Sequence, residues 1–178
     1  MLKISDTEEV IFSPELLSKF GEIVSRYPEG RQKSALLPIL HLVQAQYGWV
    51  SPVAMDKVAE YLDLKPIEVY EVATFYTMFF LKPQGKYVLE VCRTGPCSIV
   101  GAERIMKYIE SKLQVKEGEV TVDGLFSWRG VECLAACGMA PVLQIGPDYT
   151  YYENLTEAKV DELIDSLRLK TAEKPQIN

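Results

Sequence analysis

The cysteines constrain this chain more than any other feature of its sequence. All four lie within one stretch of 46 residues, in the two pairs C-x4-C and C-x3-C: Cys92 with Cys97, and Cys133 with Cys137. Each pair follows an apolar, β-rich run, residues 87–91 and 126–131. If the two predicted strands lie side by side, the loops after them bring four thiols together. The pattern therefore predicts one metal centre held by two loops.

The residues around the cysteines favour an iron–sulfur cluster. Such a cluster with four thiolates is anionic, so the protein must stabilise it with backbone N–H groups that approach closely. The first loop has the turn-forming sequence Thr94-Gly95-Pro96, and a helix predicted over residues 98–113 would place its positive N-terminal end nearby. The second loop consists largely of residues without bulky side chains, Ala135, Ala136, Gly138 and Ala140.

Other uses of four cysteines fit the sequence less well. A zinc site commonly uses C-x2-C, and a dithiol enzyme uses C-x-x-C, whereas the spacings here are longer. We find no signal peptide in residues 1–12, which disfavours disulfides. A Rieske centre needs two histidines, and the chain has one, His41. Spacing alone leaves zinc and the choice between [2Fe–2S] and [4Fe–4S] open.

The composition is typical of a globular protein and favours a protein or metal partner. The 178 residues are 48% hydrophobic and 25% charged, with a net charge of −6. The negative charge argues against nucleic-acid binding. The longest apolar run, residues 72–81, is about half of what a bilayer span requires, so we expect no membrane insertion.

The first part of the sequence predicts four short helices in a bundle. Proline follows a capping position at the start of three of them, at residues 14, 52 and 66. We expect the helices to cover residues 14–26, 34–47, and two segments that begin at residues 52 and 66. The turn at residues 82–86 separates this bundle, residues 1–82, from a cluster domain, residues 83–178.

The second part predicts a mixed sheet with flanking helices. Strands are expected at residues 87–91, 119–122 and 126–131, followed by a hairpin of residues 141–145 and 149–153. A closing helix is expected over residues 156–167. The bond between Ala140 and Pro141 is a candidate cis peptide. The fold class is therefore α/β of the α+β kind, and residues 170–178 are expected to be frayed.

These motifs carry a family resemblance. V-C-R-T-G-P-C, then E-C-L-A-A-C-G-M-A-P after a gap, then D-Y-T-Y-Y-E-N-L-T, together with the upstream E-V-A-T-F-Y-T-M-F, resemble the thioredoxin-like [2Fe–2S] ferredoxin subunit of respiratory complex I. The resemblance implies a thioredoxin-like cluster domain and a [2Fe–2S] cluster bound by Cys92, Cys97, Cys133 and Cys137.

The same resemblance implies a role in electron transfer. The chain would carry one electron at a time in the NADH dehydrogenase module of NADH:quinone oxidoreductase, beside a partner subunit that holds FMN and NADH. It would contact other peripheral-arm subunits and lie on the cytoplasmic side of the inner membrane through the complex. No G-x-G-x-x-G or P-loop pattern occurs, so we expect no nucleotide binding by those routes and no catalytic residues in this chain.

Four other functions remain open at this stage. The first is the equivalent subunit of an NAD-linked hydrogenase or formate dehydrogenase. The second is a free-standing ferredoxin, which would not need the helical bundle. The third is a zinc-stabilised interaction module without redox chemistry, and the fourth is a dithiol enzyme. His41 is expected to be a structural or surface residue, and the aromatic residues of the bundle are expected in its core, with some of them docking a partner.

Overall fold

The computed structural model describes residues 10–172. The chain divides into two compact units that meet in sequence between Pro83 and Gln84. Within the described residues, no helix combines the length and the apolar character needed to cross a membrane. The expectations for residues 1–9 and 173–178 lie outside this range.

The first unit is helical, and its helices begin where the prolines predict. They are α1 (Pro14–Val24), α2 (Leu36–Tyr47), α3 (Pro52–Leu62) and α4 (Pro66–Phe75), with a 3-10 helix at Gln32–Ala35. The Oγ atoms of Ser13 and Ser51 cap α1 and α3 by accepting N–H bonds from Leu16 and Ala54. Each cap satisfies a backbone donor that the helix itself cannot pair.

The core of the first unit contains apolar residues from all four helices, but it contains only some of the aromatic residues. Tyr47, Trp49 and Phe79 are buried, which confirms the prediction of core packing for these three. Phe75 is 77% exposed and Tyr76 is 39% exposed, so they do not belong to the core. Their rings pack edge to face against each other, 5.1 Å apart.

His41 is exposed, with its ring centroid 5.0 Å from that of Phe79, as expected for a surface residue. Val10 and Ile11, which precede α1, are held by the first unit. Val10 is buried in its core, and the Tyr47 hydroxyl donates a hydrogen bond to the Ile11 carbonyl.

The described part of the second unit is a four-stranded mixed sheet with helices. Its elements are β1 (Tyr87–Cys92), α5 (Gly95–Ile99), α6 (Ala102–Leu113), β2 (Phe126–Val131), β3 (Leu143–Gly146), β4 (Thr150–Tyr152) and α7 (Glu157–Ala172), with a 3-10 turn at Cys137–Met139. The strand order is β2-β1-β3-β4. β1 and β2 are parallel, and the other two pairs are antiparallel. The prediction of a mixed sheet with flanking helices is confirmed.

Three predictions about this unit were wrong. Residues 119–122 do not form a strand; only an isolated bridge joins Val120 to Ser127. The helix predicted over residues 98–113 is broken at Gly101, which has φ +104° and separates α5 from α6. The closing helix runs on to Ala172, because Leu167 still packs in the core and Thr171 is hydrogen-bonded to the Leu167 carbonyl. Residues 170–172 are therefore not frayed.

The two faces of the sheet have different contents. Alternate residues of β1 point to opposite faces. Leu89 and Val91 lie in a core with residues of α6 and α7. Val88, Glu90 and Cys92 share the other face, and each is at most 4% exposed. The first cysteine thus lies on a face that also carries a buried charge.

Candidate metal centre

Parallel pairing of β1 and β2 brings the two cysteine pairs to one edge of the sheet. β1 ends at Cys92, which is in register with Val131, the last residue of β2. Cys133 follows two residues later. The carboxyl ends of adjacent parallel strands lie at the same edge, so the loops after them start side by side. The arrangement expected from the two β-rich runs is therefore present.

The two pairs of thiols lie close together. Cys92 and Cys97 pack in the same buried cluster, and Cys133 and Cys137 lie in the short loop that follows β2. The helix α5, which carries Cys97, contacts the 3-10 turn that begins at Cys137. Among residues 10–172, no three His, Cys, Asp or Glu side chains are grouped so as to hold a single metal ion. Two pairs of thiols could serve as the donors of a binuclear iron centre, in which each iron would take two of them.

The pairs differ in burial. Cys92 and Cys97 are 2% and 1% exposed and pack with Ala102 and Val142. Cys133 and Cys137 are exposed. One side of the site is therefore closed by protein, and the other side opens to solvent.

The thiol pKa values follow from these surroundings. Burial acts to raise the pKa of Cys92, but hydrogen bonds with the backbone of Thr94 and Leu134 and with Cys97 lower it overall. Burial raises the pKa of Cys97, and the neighbouring Cys92 adds to this effect. A hydrogen bond with Cys133 raises the pKa of Cys137, as does the charge of Cys133. The thiolate is the form that binds a metal, and a bound cation would stabilise it, so the four sulfur donors fit a metal centre.

The backbone of each cysteine loop has free space beside it at a glycine. A Cβ atom placed on Gly95 or Gly138 would find no atom within 4 Å, so space remains beside both loops. The N–H of Ala135 donates to the Cys133 sulfur at 3.3 Å. Ala135 has φ +58°, which is the left-handed conformation. Such an N–H group stabilises a thiolate or a cluster sulfur.

Several supporting contacts were not predicted from the sequence. The hydroxyl of Tyr151, on the edge strand β4, donates to the Leu134 carbonyl at 2.9 Å and ties the second loop to the sheet. Arg93 pairs with Glu132 at 3.2 Å, so the residue after the first cysteine contacts the residue before the third. The repeated tyrosines of the β3–β4 hairpin were a signal of such a contact, but their partner could not be identified from the sequence.

The sequence profile described as thioredoxin-like [2Fe–2S] ferredoxin matches residues 20–168. The chain belongs to this family. The match covers both units, so the family extends beyond the cysteine-bearing sheet. Membership of the family agrees with the donor set and confirms the prediction of a [2Fe–2S] cluster protein.

Two relatives agree with this family over nearly their whole length. The E subunit of the NADH-quinone oxidoreductase of Rickettsia bellii is 47% identical over 158 residues, which cover 88% of this chain and 93% of that protein. The protein of the same name from Rickettsia prowazekii is 46% identical over 155 residues, covering 86% of each protein. The resemblance to the complex I subunit inferred from the motifs is therefore confirmed.

A solved structure shows the same fold in another setting. An NAD+-reducing [NiFe]-hydrogenase in the air-oxidised state superposes with a TM-score of 0.67 at 19% identity, covering 82% of this chain. The chain spans about a quarter of the length of that hydrogenase chain, 25%. At this level of identity the likeness concerns the fold alone.

Proposed function

We propose that this ferredoxin-family chain is the [2Fe–2S] electron-carrier subunit of the NADH dehydrogenase module of an NADH:quinone oxidoreductase. The single observation that carries the proposal is the convergence of two thiol pairs at one edge of the sheet. The two Rickettsia relatives support the setting. Cys92, Cys97, Cys133 and Cys137 would hold the cluster.

When bound, a [2Fe–2S] cluster accepts and returns one electron. The chain contributes the thiolates, the Ala135 N–H to one sulfur, and a buried wall around Cys92 and Cys97. The chain itself would perform no hydride chemistry. FMN and NADH would be bound by the partner subunit, and the electron would pass between that flavin and this site.

The partners and the location follow from the same proposal. The chain would dock against the flavin- and NADH-binding subunit and contact other peripheral-arm subunits, which would place it at the cytoplasmic side of the inner membrane. Exposed apolar residues, Phe75 in the first unit and Ile99 in the second, offer docking contacts, since they are 77% and 87% exposed. Identifying the subunits that co-purify with the native chain tests this setting.

A second candidate is the equivalent subunit of an NAD+-reducing hydrogenase, favoured by the fold shared with that enzyme. Co-purification separates the two proposals. Quinone-reducing partners support the first, and a [NiFe] subunit supports the second. A chain recovered from the native extract as a free monomer would contradict both.

The ligand set is tested by replacing each of the four cysteines in turn by Ala. Each variant should lose the cluster, because an iron with three remaining protein and sulfide donors is poorly held. Iron and acid-labile sulfide content, with the paramagnetic resonance of the reduced protein, measure the loss. His41→Ala is the control and should keep the cluster, since His41 is exposed and packs on Phe79.

The same analysis distinguishes the rival zinc module. A wild-type protein that contains zinc and no sulfide would overturn the proposed function. A cysteine variant that keeps full iron and sulfide content would remove that residue from the ligand set.

A further inference from the structure

Three polar side chains, those of Glu90, Arg129 and Gln144, form a row across the sheet on the face that carries Cys92. We call this row the polar ladder. Glu90 lies at the centre of β1 and is 2% exposed. It is in register with Arg129 of β2 and with Gln144 of β3. A carboxylate this deeply buried is rare in a sheet unless it is paired.

Glu90 is hydrogen-bonded from both neighbouring strands. The Nε of Arg129 donates to Oε1 of Glu90 at 2.8 Å, and a terminal guanidinium nitrogen contacts the same oxygen. The side-chain amide of Gln144 donates to Oε2. Tyr149 also faces the pair: its pKa is raised by burial and further by the negative charge of Glu90. Glu90 is therefore held in an ion pair with Arg129, and its other oxygen accepts a hydrogen bond from Gln144.

The position of the ladder places a charge beside the proposed cluster. Residues two apart in a strand point the same way and are separated by about 6.6 Å. Glu90 precedes Cys92 by this spacing, on the same face of β1. At such a distance in a poorly solvated site, one unit charge changes the free energy of adding an electron by an amount that is easily measured.

We propose that Glu90 lowers the reduction potential of the cluster and that Arg129 offsets this effect. This inference rests on the proposed function, because it needs the cluster at the four cysteines. The carboxylate disfavours the extra electron on the cluster, whereas the guanidinium favours it. Arranged as a pair, they leave the cluster close to the potential that an uncharged site would give it.

Three variants test the proposal by the sign of their effects. Glu90→Gln should raise the potential and increase the ratio of reduced to oxidised cluster about tenfold at a fixed ambient potential, a shift of about 59 mV for one electron. Arg129→Gln should lower the potential, because it removes the positive charge that offsets the carboxylate. The double variant should lie between the two single variants. The readout is a redox titration followed by paramagnetic resonance.

The pattern of signs separates charge from packing. A residue that acts only through packing would not shift the potential in opposite directions in the two single variants. Shifts of the same sign, or potentials equal to that of the wild type in both single variants, would overturn the inference. If Glu90→Gln does not retain its cluster, the double variant should have a higher potential than Arg129→Gln. If Arg129→Gln does not retain its cluster, the double variant should have a lower potential than Glu90→Gln.

A matched control and a second measurement complete the experiment. Glu110→Gln removes the same charge from an exposed position on α6 and should leave the potential unchanged. Iron and sulfide are measured in every sample. A wild-type protein without a cluster refutes the proposed function, whereas loaded variants with unchanged potentials refute only the role of Glu90.

Discussion

Gly85 packs directly against the backbone of β2, which is possible because glycine has no side chain. A Cβ atom at this position would lie 2.3 Å from the Phe126 carbonyl carbon and 2.6 Å from the Ser127 nitrogen. Both are backbone atoms of β2 and cannot rotate away. The Gly85 N–H also donates to the Ser127 hydroxyl at 3.2 Å. Only glycine fits here without moving β2.

We therefore expect Gly85→Ala to destabilise the protein by about 3 kcal/mol, within the range of strongly overpacked sites. The free energy of unfolding from chemical denaturation measures the effect. Gly21→Ala is the matched control, since it makes the same change in the helix α1, where the nearest atom is 3.9 Å away. That substitution should be neutral or stabilising. Equal effects of the two would refute the steric argument.

At the scale of elements, the start of α4 depends on one carboxylate. Glu68 accepts a hydrogen bond from the backbone N–H of Lys65 at 3.0 Å and pairs with Lys33 at 2.8 Å. The hydrogen bond from Lys33, followed by that from Lys65, lowers the pKa of Glu68 below its ordinary value of 4.5. One side chain thus caps α4 and joins it to the 3-10 helix at Gln32–Ala35.

A pH dependence of stability follows from this cap. Because the pKa of Glu68 is lower in the folded chain, its contribution is complete above pH 4.5 and is lost as the pH falls through the lowered value. We expect Glu68→Gln to reduce the thermal midpoint at pH 7 and to have little effect at pH 3. A Glu29→Gln control should show no such difference. A deficit of Glu68→Gln that persists unchanged at pH 3 would contradict the prediction.

Predictions that depended on a local signal succeeded more often than predictions that depended on pairing with distant residues. The helix starts were found because proline and serine report a cap locally. The break at Gly101 was missed because apolar residues continue through it, yet Ile99 is 87% exposed. Residues 119–122 alternate like a strand but pair with β2 only at an isolated bridge. Pairing depends on distant backbone, which periodicity does not encode.

The sequence predicted that the two cysteine loops start side by side, which the pairing of β1 with β2 confirms, but it did not predict the contacts that support these loops. Cysteine spacing and the β-rich runs located the four thiols. Glu90 was a signal that could have been used, because a charge within the apolar run 87–92 marks a buried ion pair. Its partners Arg129 and Gln144 could not be identified without the register of three strands. The cis peptide at Ala140-Pro141, a hypothesis from the sequence, is present.

At the scale of the whole molecule, everything that the site requires lies in the second unit. The four cysteines, the sheet and its own hydrophobic core all fall within Gln84–Asn178. We propose that this segment is an independent domain, in line with the boundary expected near residue 83. The first unit has a separate core of its own.

A fragment of residues 84–178 should therefore bind the cluster without the helical unit. The visible absorbance and the paramagnetic spectrum of the reduced fragment should match those of the full chain. The same fragment with Cys92→Ala is the negative control. A fragment that folds, as circular dichroism would show, but takes up no iron would refute the independence of the domain.

The parallel pairing of β1 with β2 also constrains biosynthesis. Cys92 and Cys97 leave the ribosome before Cys133, with 35 residues between Cys97 and Cys133. This intervening segment contains the crossover helix α6. β3, which flanks β1 on its other side, is made later still. A nascent chain stalled before this point presents two thiols and no completed pocket. If the four cysteines hold the cluster, we expect iron and sulfide to be delivered only after β2 and the loop after it have been made and folded.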